Sequence, residues 1–259
     1  MGRTIAGIWD TTKTVVVALL VAGLFRTFFF QPFWIPSGSM KDTLLVGDLL
    51  FVNKMAYGYS RYSCPFDLCP FSGRILAHGP KRGDVVVFRH PVNGEDYIKR
   101  LIGLPGDRIQ VIQGLLYING QPVTVVPDGT FAEEMGPQGP LGSFPHCANA
   151  PVPPGAACLK ARLKETLPNG VTHDILSISN GGMADNTPVY VVPKGEFFFM
   201  GDNRDNSEDS RFAQDVGGVG FVPFQNLIGR ADFVLFSSAG RSLMSFWDWR
   251  TDRFLKAIH

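Results

Sequence analysis

The feature that most constrains this chain is an apolar run near its start. From Thr14 to Phe30 the residues read TVVVALLVAGLFRTFFF, apolar apart from Arg26 and two threonines. As a helix this run spans about 26 Å, and continuation through Phe33 and Trp34 brings it to bilayer thickness. About a dozen Val, Leu and Phe residues at roughly −0.4 kcal/mol each contribute on the order of −5 kcal/mol to insertion. Arg26 opposes this by at most about 3 kcal/mol, and by less if its side chain reaches the interface. The sum predicts an uncleaved membrane anchor. A cleaved export signal would place small residues after the run, whereas FFFQPFWIP follows; a buried soluble helix would carry a polar face. Arg3 and Lys13 favour a cytoplasmic N-terminus, which leaves the rest of the chain outside, in a periplasm or its equivalent. Residues 1–34 are read as tail and transmembrane anchor and 35–259 as the exported domain, with Phe33 and Trp34 forming an aromatic collar at the interface.

Beyond the anchor the chain is long enough to bury a real core. Only 18% of residues are charged, and Gly, Pro and Phe are plentiful, so a mainly β fold with many turns is expected over a helical bundle. Strand-like runs cover Leu49–Val52, Val85–Phe88, Tyr97–Ile102, Arg108–Ile112, Leu115–Ile118, Val189–Val192, Phe197–Met200 and Ala231–Phe236. Leu104-Pro105-Gly106-Asp107 suits a type II turn, and Asn119-Gly120 is a tight-hairpin signal. Residues 127–158, rich in Pro, Gly and Ala, read as a long loop or insert, not a sheet core, and about 108–190 as a loop-rich inserted β subdomain.

The net charge of +1 gives no footprint for nucleic acid. The cysteines fall into two local pairs, Cys64 with Cys69 and Cys147 with Cys158, without zinc-site spacing and without a companion histidine pattern. Two local disulfides are expected, neither touching the site described next, with reduced cysteines as the alternative.

Three segments carry chemistry. In Pro36-Ser37-Gly38-Ser39-Met40 a glycine beside serine permits a tight backbone that exposes a hydroxyl and aims an N–H at the same point, although an ordinary polar turn has this composition too. In Tyr97-Ile98-Lys99-Arg100-Leu101, period-two alternation puts Lys99 with Tyr97 and Leu101, and Arg100 with Ile98 and Ile102. One of the two cations therefore sits on an apolar face, either snorkelling or desolvated enough to act as a base. Gly201-Asp202-Asn203-Arg204-Asp205-Asn206-Ser207-Glu208-Asp209-Ser210-Arg211 is dense in Asp and Asn but fits no EF-hand; a turn held by ion pairs is expected, with Asp209 and Arg211 pairing.

PSGSM, YIKRLIGLPGD and GDNRDNSEDSR, in this order after an anchor, together with VGDLLFVNKMAYG and GDVVVF, resemble bacterial type I signal peptidase, the serine/lysine-dyad leader peptidase family. The resemblance runs from about Phe33 to Phe236, with no motif between about 120 and 190. It implies a membrane-bound endopeptidase of the bacterial inner membrane, single-pass and functional as a monomer, that cleaves signal peptides from exported preproteins after small residues, without metal or cofactor. Ser39 would be the nucleophile and Lys99 the general base. The Ser39 N–H and Ser37 hydroxyl would form the oxyanion hole. Ser207 would hydrogen-bond the Lys99 amine, and Asp209 and Arg211 would support its loop. One departure is visible: the family's S-M-x-P-T pattern here reads Ser39-Met40-Lys41-Asp42-Thr43, placing a carboxylate near the site. Other serine/lysine peptidases, including self-cleaving repressors and pilus-maturation enzymes, and a tethered non-catalytic β-module are the rival readings.

Overall fold

The computed structural model describes residues 2–63, 72–139, 141–179, 181–240 and 246–259, with side chains described at all of these except 2–8 and 24–27. A long helix, α1 (Gly2–Phe28), leads into β1 (Phe30–Trp34). The helix does not continue through Phe33 and Trp34, contrary to expectation. Pro32 lacks an N–H and disfavours helix in the residue before it, whereas an edge strand tolerates both effects. Accordingly β1 is the outer strand of its sheet and pairs antiparallel with β2 (Asp48–Asn53) from Phe30↔Asn53 to Trp34↔Leu49. Among the described residues no helix is long and apolar enough to cross a membrane, so a transmembrane α1 is not supported here.

The remaining strands are β3 (Tyr59–Ser60), β4 (Arg74–Ile75), β5 (Val85–Arg89), β6 (Asp96–Gly103), β7 (Arg108–Ile112), β8 (Leu115–Ile118), β9 (Gln121–Pro122), β10 (Thr124–Glu134), β11 (Ala157–Thr166), β12 (Thr172–Ser177), β13 (Tyr190–Val191), β14 (Glu196–Met200), β15 (Val222–Pro223), β16 (Leu227–Ser237) and β17 (Lys256–Ala257). The expected mainly β architecture is the observed one. The principal sheet has eight strands in the order β1-β2-β16-β5-β6-β14-β15, with β17 added to β16. Both of its faces are covered. In β5, Val85 and Val87 join Ile35, Met40, Leu44 and Leu50 on one side, whereas Val86 and Phe88 join Leu101, Phe197 and Phe199 on the other. A third cluster, with Ile102, Ile109, Leu116, Phe198 and Met200, fastens the sheet's far end to a four-stranded sheet, β13-β7-β8-β9.

That small sheet follows the turn chemistry of its sequence. β8 and β9 are joined through Asn119 and Gly120, both at positive φ, the conformation a tight antiparallel turn requires and that Asn and Gly accept most readily. The Leu104–Asp107 turn closes with Asp107 N–H donating to Leu104 O at 3.0 Å.

Residues 127–158 differ from expectation. They contribute most of β10 and the start of β11, two of the strands of a β10-β11-β12 sheet. β10 escapes a hydrophobic-pattern reading because it is mostly exposed and carries Pro127-Asp128-Gly129, across which the register with β11 shifts. Cys147 and Cys158 are disulfide-bonded, with Cα atoms 5.1 Å apart, tying the loop after β10 to β11. Cys64 and Cys69 lie outside the described residues.

Candidate active site

The turn between β1 and β2 is fixed from below. Met40 and Leu44 are buried in the core, and Ile35 is held on both sides, its N–H donating to Asp48 O and its carbonyl accepting from Gly47 N–H. This leaves Ser37-Gly38-Ser39 arched over the middle of β6, where Lys99 projects from a backbone paired to Val86 of β5. Lys99 Nζ and Ser39 Oγ are in hydrogen-bond contact. The Ser37 and Ser39 hydroxyl oxygens are 3.5 Å apart. Ser39 is 7% exposed and Lys99 3%, while Ser37 lies open at the rim.

These three residues line one cleft of about 540 Å³, together with Phe33, Tyr97 and Ile98. β14 pairs with β6 only over Arg100–Gly103, so on that side Tyr97–Lys99 meets no strand among the described residues. An open strand edge therefore runs along the cleft up to Ser39.

Burial pushes the Lys99 amine down to about 8, with Asp209 and Glu208 acting weakly the other way. A buried ammonium is disfavoured unless a carboxylate reaches it, and among the described residues Lys99 makes no ion pair. Its neighbour differs. Arg100 is completely buried and bidentate to Asp202, with Nε–Oδ1 and Nη2–Oδ2 both 2.8 Å, and also donates to Gly83 O. The sequence required one cation on an apolar face; both are buried, on opposite faces of the strand, and only the arginine is neutralised.

The segment after β14 supplies the support. Arg211 is bidentate to Asp209, with Nε–Oδ1 and Nη2–Oδ2 both 2.9 Å, and Gly201 N–H donates to Asp209 Oδ2 at 3.0 Å. The expected pairing is present, and Asp209 is held below the usual carboxylate range because Arg211 and these hydrogen bonds outweigh burial. Ser207 is placed beside Ser39 but does not bond to Lys99, contrary to expectation. Its Oγ is buried without a hydrogen-bond partner among the described residues. The Lys99 amine is already engaged by Ser39, and Ser207 Oγ packs against Gly201, so closely that a Cβ there would lie 2.2 Å from Ser207 Oγ and 2.6 Å from Ser39 O. Glycine at 201 is thus a requirement of the site that the sequence alone did not single out.

Two further residues escaped sequence reasoning. Asn203 donates from its N–H to Ser39 O at 3.0 Å and from Nδ2 to Gly38 O at 2.9 Å. Lys41 reaches from the serine turn to Glu133 at 2.5 Å and Gln138 at 2.7 Å, and Lys160 contacts the other Glu133 oxygen. The signal for Lys41 was a charged residue following a buried methionine, which by itself has no meaning. Gln138, Phe144, Pro145 and His146 form part of the cleft wall. The Cys147–Cys158 bond adjoins this wall through His146, while neither cysteine lines the cleft. Asp42 turns away from the cleft, its Oδ2 3.5 Å from Arg162 Nη1. Among the described residues no group of His, Cys, Asp or Glu side chains converges as a metal site.

Comparison with known proteins gives a consistent result. A family model described as "Signal peptidase, peptidase S26" matches residues 8–236. The chain is 41% identical over 249 residues to a signal peptidase I of Rickettsia akari, covering 93% of this chain and 81% of that protein. It is 42% identical over 246 residues to a signal peptidase I of Rickettsia typhi, covering 92% and 80%. A crystal structure of a signal peptidase I from Enterococcus faecalis is 25% identical and covers 59% of this chain and 97% of its own, with a TM-score of 0.30. On the family match and the likeness to the two Rickettsia proteins, the chain belongs to the S26 signal peptidase family.

Proposed function

We propose that the protein is a serine endopeptidase that removes signal peptides from exported preproteins, with Ser39 as nucleophile and Lys99 as general base. The observation that carries the reading is the contact between a buried serine hydroxyl and a buried lysine amine that has no carboxylate partner among the described residues. A lysine held near 8 is neutral in a usable fraction at neutral pH, so it can accept the Ser39 proton as the hydroxyl attacks the scissile carbonyl. The tetrahedral oxyanion would then be met by the Ser39 N–H and the Ser37 hydroxyl. The protonated Lys99 gives its proton to the departing amine, leaving an acyl-enzyme on Ser39. Water deprotonated by the same lysine hydrolyses the ester.

The strand edge of Tyr97–Lys99 along the cleft suits an extended substrate that adds as a strand, and the family resemblance implies small residues before the cut. The reading includes attachment to a lipid bilayer through the N-terminal segment, with the catalytic residues on the periplasmic side of a bacterial inner membrane. Support comes from the apolar run Thr14–Phe30 and from the exposure of Val15, Val16, Val17, Leu19, Leu20 and Val21 along α1. Residues 35–259 would then be one exported peptidase unit, with about 108–190 as its insert, acting as a monomer.

Incubation of the detergent-solubilised protein with a preprotein, followed by N-terminal sequencing of the product, tests the reading. It predicts one new N-terminus following a small residue, and none with Ser39→Ala. Cleavage by Ser39→Ala at the native rate would remove Ser39 from the mechanism.

A further inference from the structure

The oxyanion site depends on a backbone N–H, and a backbone N–H has no rotamer of its own. Its direction is set by whatever holds the opposite end of its peptide unit. The Gly38–Ser39 peptide is trans, so its N–H and its C=O point in opposite directions. The Gly38 carbonyl is engaged by Asn203 Nδ2 at 2.9 Å. Among the described residues its one other donor is Lys41 N–H, at a longer 3.3 Å, which closes the local turn. The next carbonyl, that of Ser39, accepts from Asn203 N–H at 3.0 Å. Two successive carbonyls are therefore drawn to one residue on the side away from the cleft. The Ser39 N–H makes no bond to any backbone carbonyl among the described residues and points the other way, while Gly38 and Ser39 both line the cleft.

Asn203 is itself placed with little freedom. It is completely buried and lies alongside Leu176 of β12, whose N–H donates to the preceding carbonyl, Asp202 O, at 2.8 Å. The Asp202 side chain is locked by Arg100. The anchor thus runs from β6 through Arg100 and Asp202 to Asn203, and from there to the serine turn.

We infer that Asn203 is the positioning residue of the oxyanion site: by holding the Gly38 and Ser39 carbonyls away from the cleft, it aims the Ser39 N–H at the oxygen on which charge develops. The inference rests on the Ser39/Lys99 reading. It adds that the donor is preorganised by a side chain that touches neither substrate nor Lys99. Preorganised donors matter in the transition state far more than in the ground state. Loss of the Asn203 amide should therefore appear in kcat, and in the affinity of a ligand that carries an oxyanion, but not in substrate affinity or in the titration of Lys99.

The test uses the full chain in detergent and the variants Asn203→Ala and Asn203→Asp. Two probes share one peptide sequence: an aldehyde, which captures Ser39 as a hemiacetal with an oxyanion, and the corresponding alcohol, which cannot. The expected result for both variants is a fall in kcat of roughly a hundredfold with KM within about twofold, and an equal loss of aldehyde affinity. The alcohol should bind as before, and the acid limb of the pH profile should keep its midpoint. Equal loss of both probes, a shifted acid limb, or unchanged kcat would each overturn the inference. Should both variants fail to fold, the Ser39 amide of the native chain is followed by NMR. A downfield shift with the aldehyde but not with the alcohol supports the inference, and the same response to both overturns it. Ser39→Ala separates the two levels: if that variant still cleaves, the dyad reading fails, whereas an inactive Ser39→Ala beside a fully active Asn203→Ala removes only the role of Asn203.

Discussion

Lys99 and Arg100 are consecutive in β6 and both buried, yet Arg100 is matched to Asp202 through two 2.8 Å bonds, whereas Lys99 meets the hydroxyl of Ser39. The strand therefore carries one compensated charge and one uncompensated amine, on opposite faces. On the proposed reading the first contributes stability and the second chemistry.

The lysine should lower the stability of the fold. Its amine titrates near 8 in the native chain and near the ordinary 10.5 when unfolded. Below about pH 8 both states are protonated and the burial penalty is complete; between the two values the unfolded chain holds more protons, so stability rises with pH. A gap of this size corresponds to at most about 3 kcal/mol. Lys99→Met should be inactive yet more stable at pH 7 by up to that amount, with the difference gone above about pH 10.5. Urea midpoints at pH 7 and pH 11 check this, and a less stable variant at pH 7 would contradict it. The same shift places an acid limb near pH 8 in the native kcat/KM profile.

Asp202 should behave in the opposite sense. Burial pushes its carboxyl up, but the Arg100 guanidinium and its hydrogen bonds outweigh this and hold it below the usual range. A depressed carboxylate contributes stability that is complete above its unfolded value of about 4 and is lost as pH falls through the native one. Asp202→Asn leaves Arg100 buried without a counter-charge and should cost about 3–5 kcal/mol at pH 7. Denaturant unfolding measures this, and a change below about 1 kcal/mol would mean that Arg100 finds another partner.

Ser37 lies at the rim, its hydroxyl 3.5 Å from that of Ser39. If it donates to the oxyanion, Ser37→Ala should lower kcat by about a hundredfold with little change in KM, and Ser37→Thr, which keeps the hydroxyl, should be milder. Steady-state kinetics with a preprotein or a signal-peptide mimic checks both variants. Equal losses would assign Ser37 to packing.

Much of the site was legible because its parts are contiguous in sequence. Ser37, Ser39, Lys99, Asp209 and Arg211 fall within three short segments, and period-two alternation in Tyr97–Ile102 already required a cation in an apolar setting. The principal strands β2, β5, β6, β14 and β16 were legible for the same reason, being compact apolar runs. What escaped depends on distant contacts. Lys41 acquires its meaning only from Glu133, and Gly201 only from the backs of Ser39 and Ser207. β10 escaped because an exposed strand with a bulge has no hydrophobic period to read. The end of α1 was overrun because hydropathy does not register that Pro32 favours an edge strand.

The cleft wall formed by Gln138, Phe144, Pro145 and His146 is tied at its end by the Cys147–Cys158 bond, eleven residues apart in sequence. Opening that bond should loosen the wall without touching Ser39 or Lys99. The Cys147→Ala/Cys158→Ala chain should be less stable by about 2–4 kcal/mol and show a raised KM with kcat within about twofold. Thermal unfolding and kinetics together check this; an unchanged KM would show that the wall does not contact substrate.

The account turns on Lys99 acting as a base. Lys99→Arg tests this most directly, because it keeps the charge and approximate length, while a guanidinium stays protonated at any workable pH and cannot accept the Ser39 proton. The measurement is the rate of preprotein cleavage by Lys99→Arg in detergent at the pH optimum of the native enzyme. The account predicts no cleavage above that of Ser39→Ala, and cleavage at a near-native rate would contradict it.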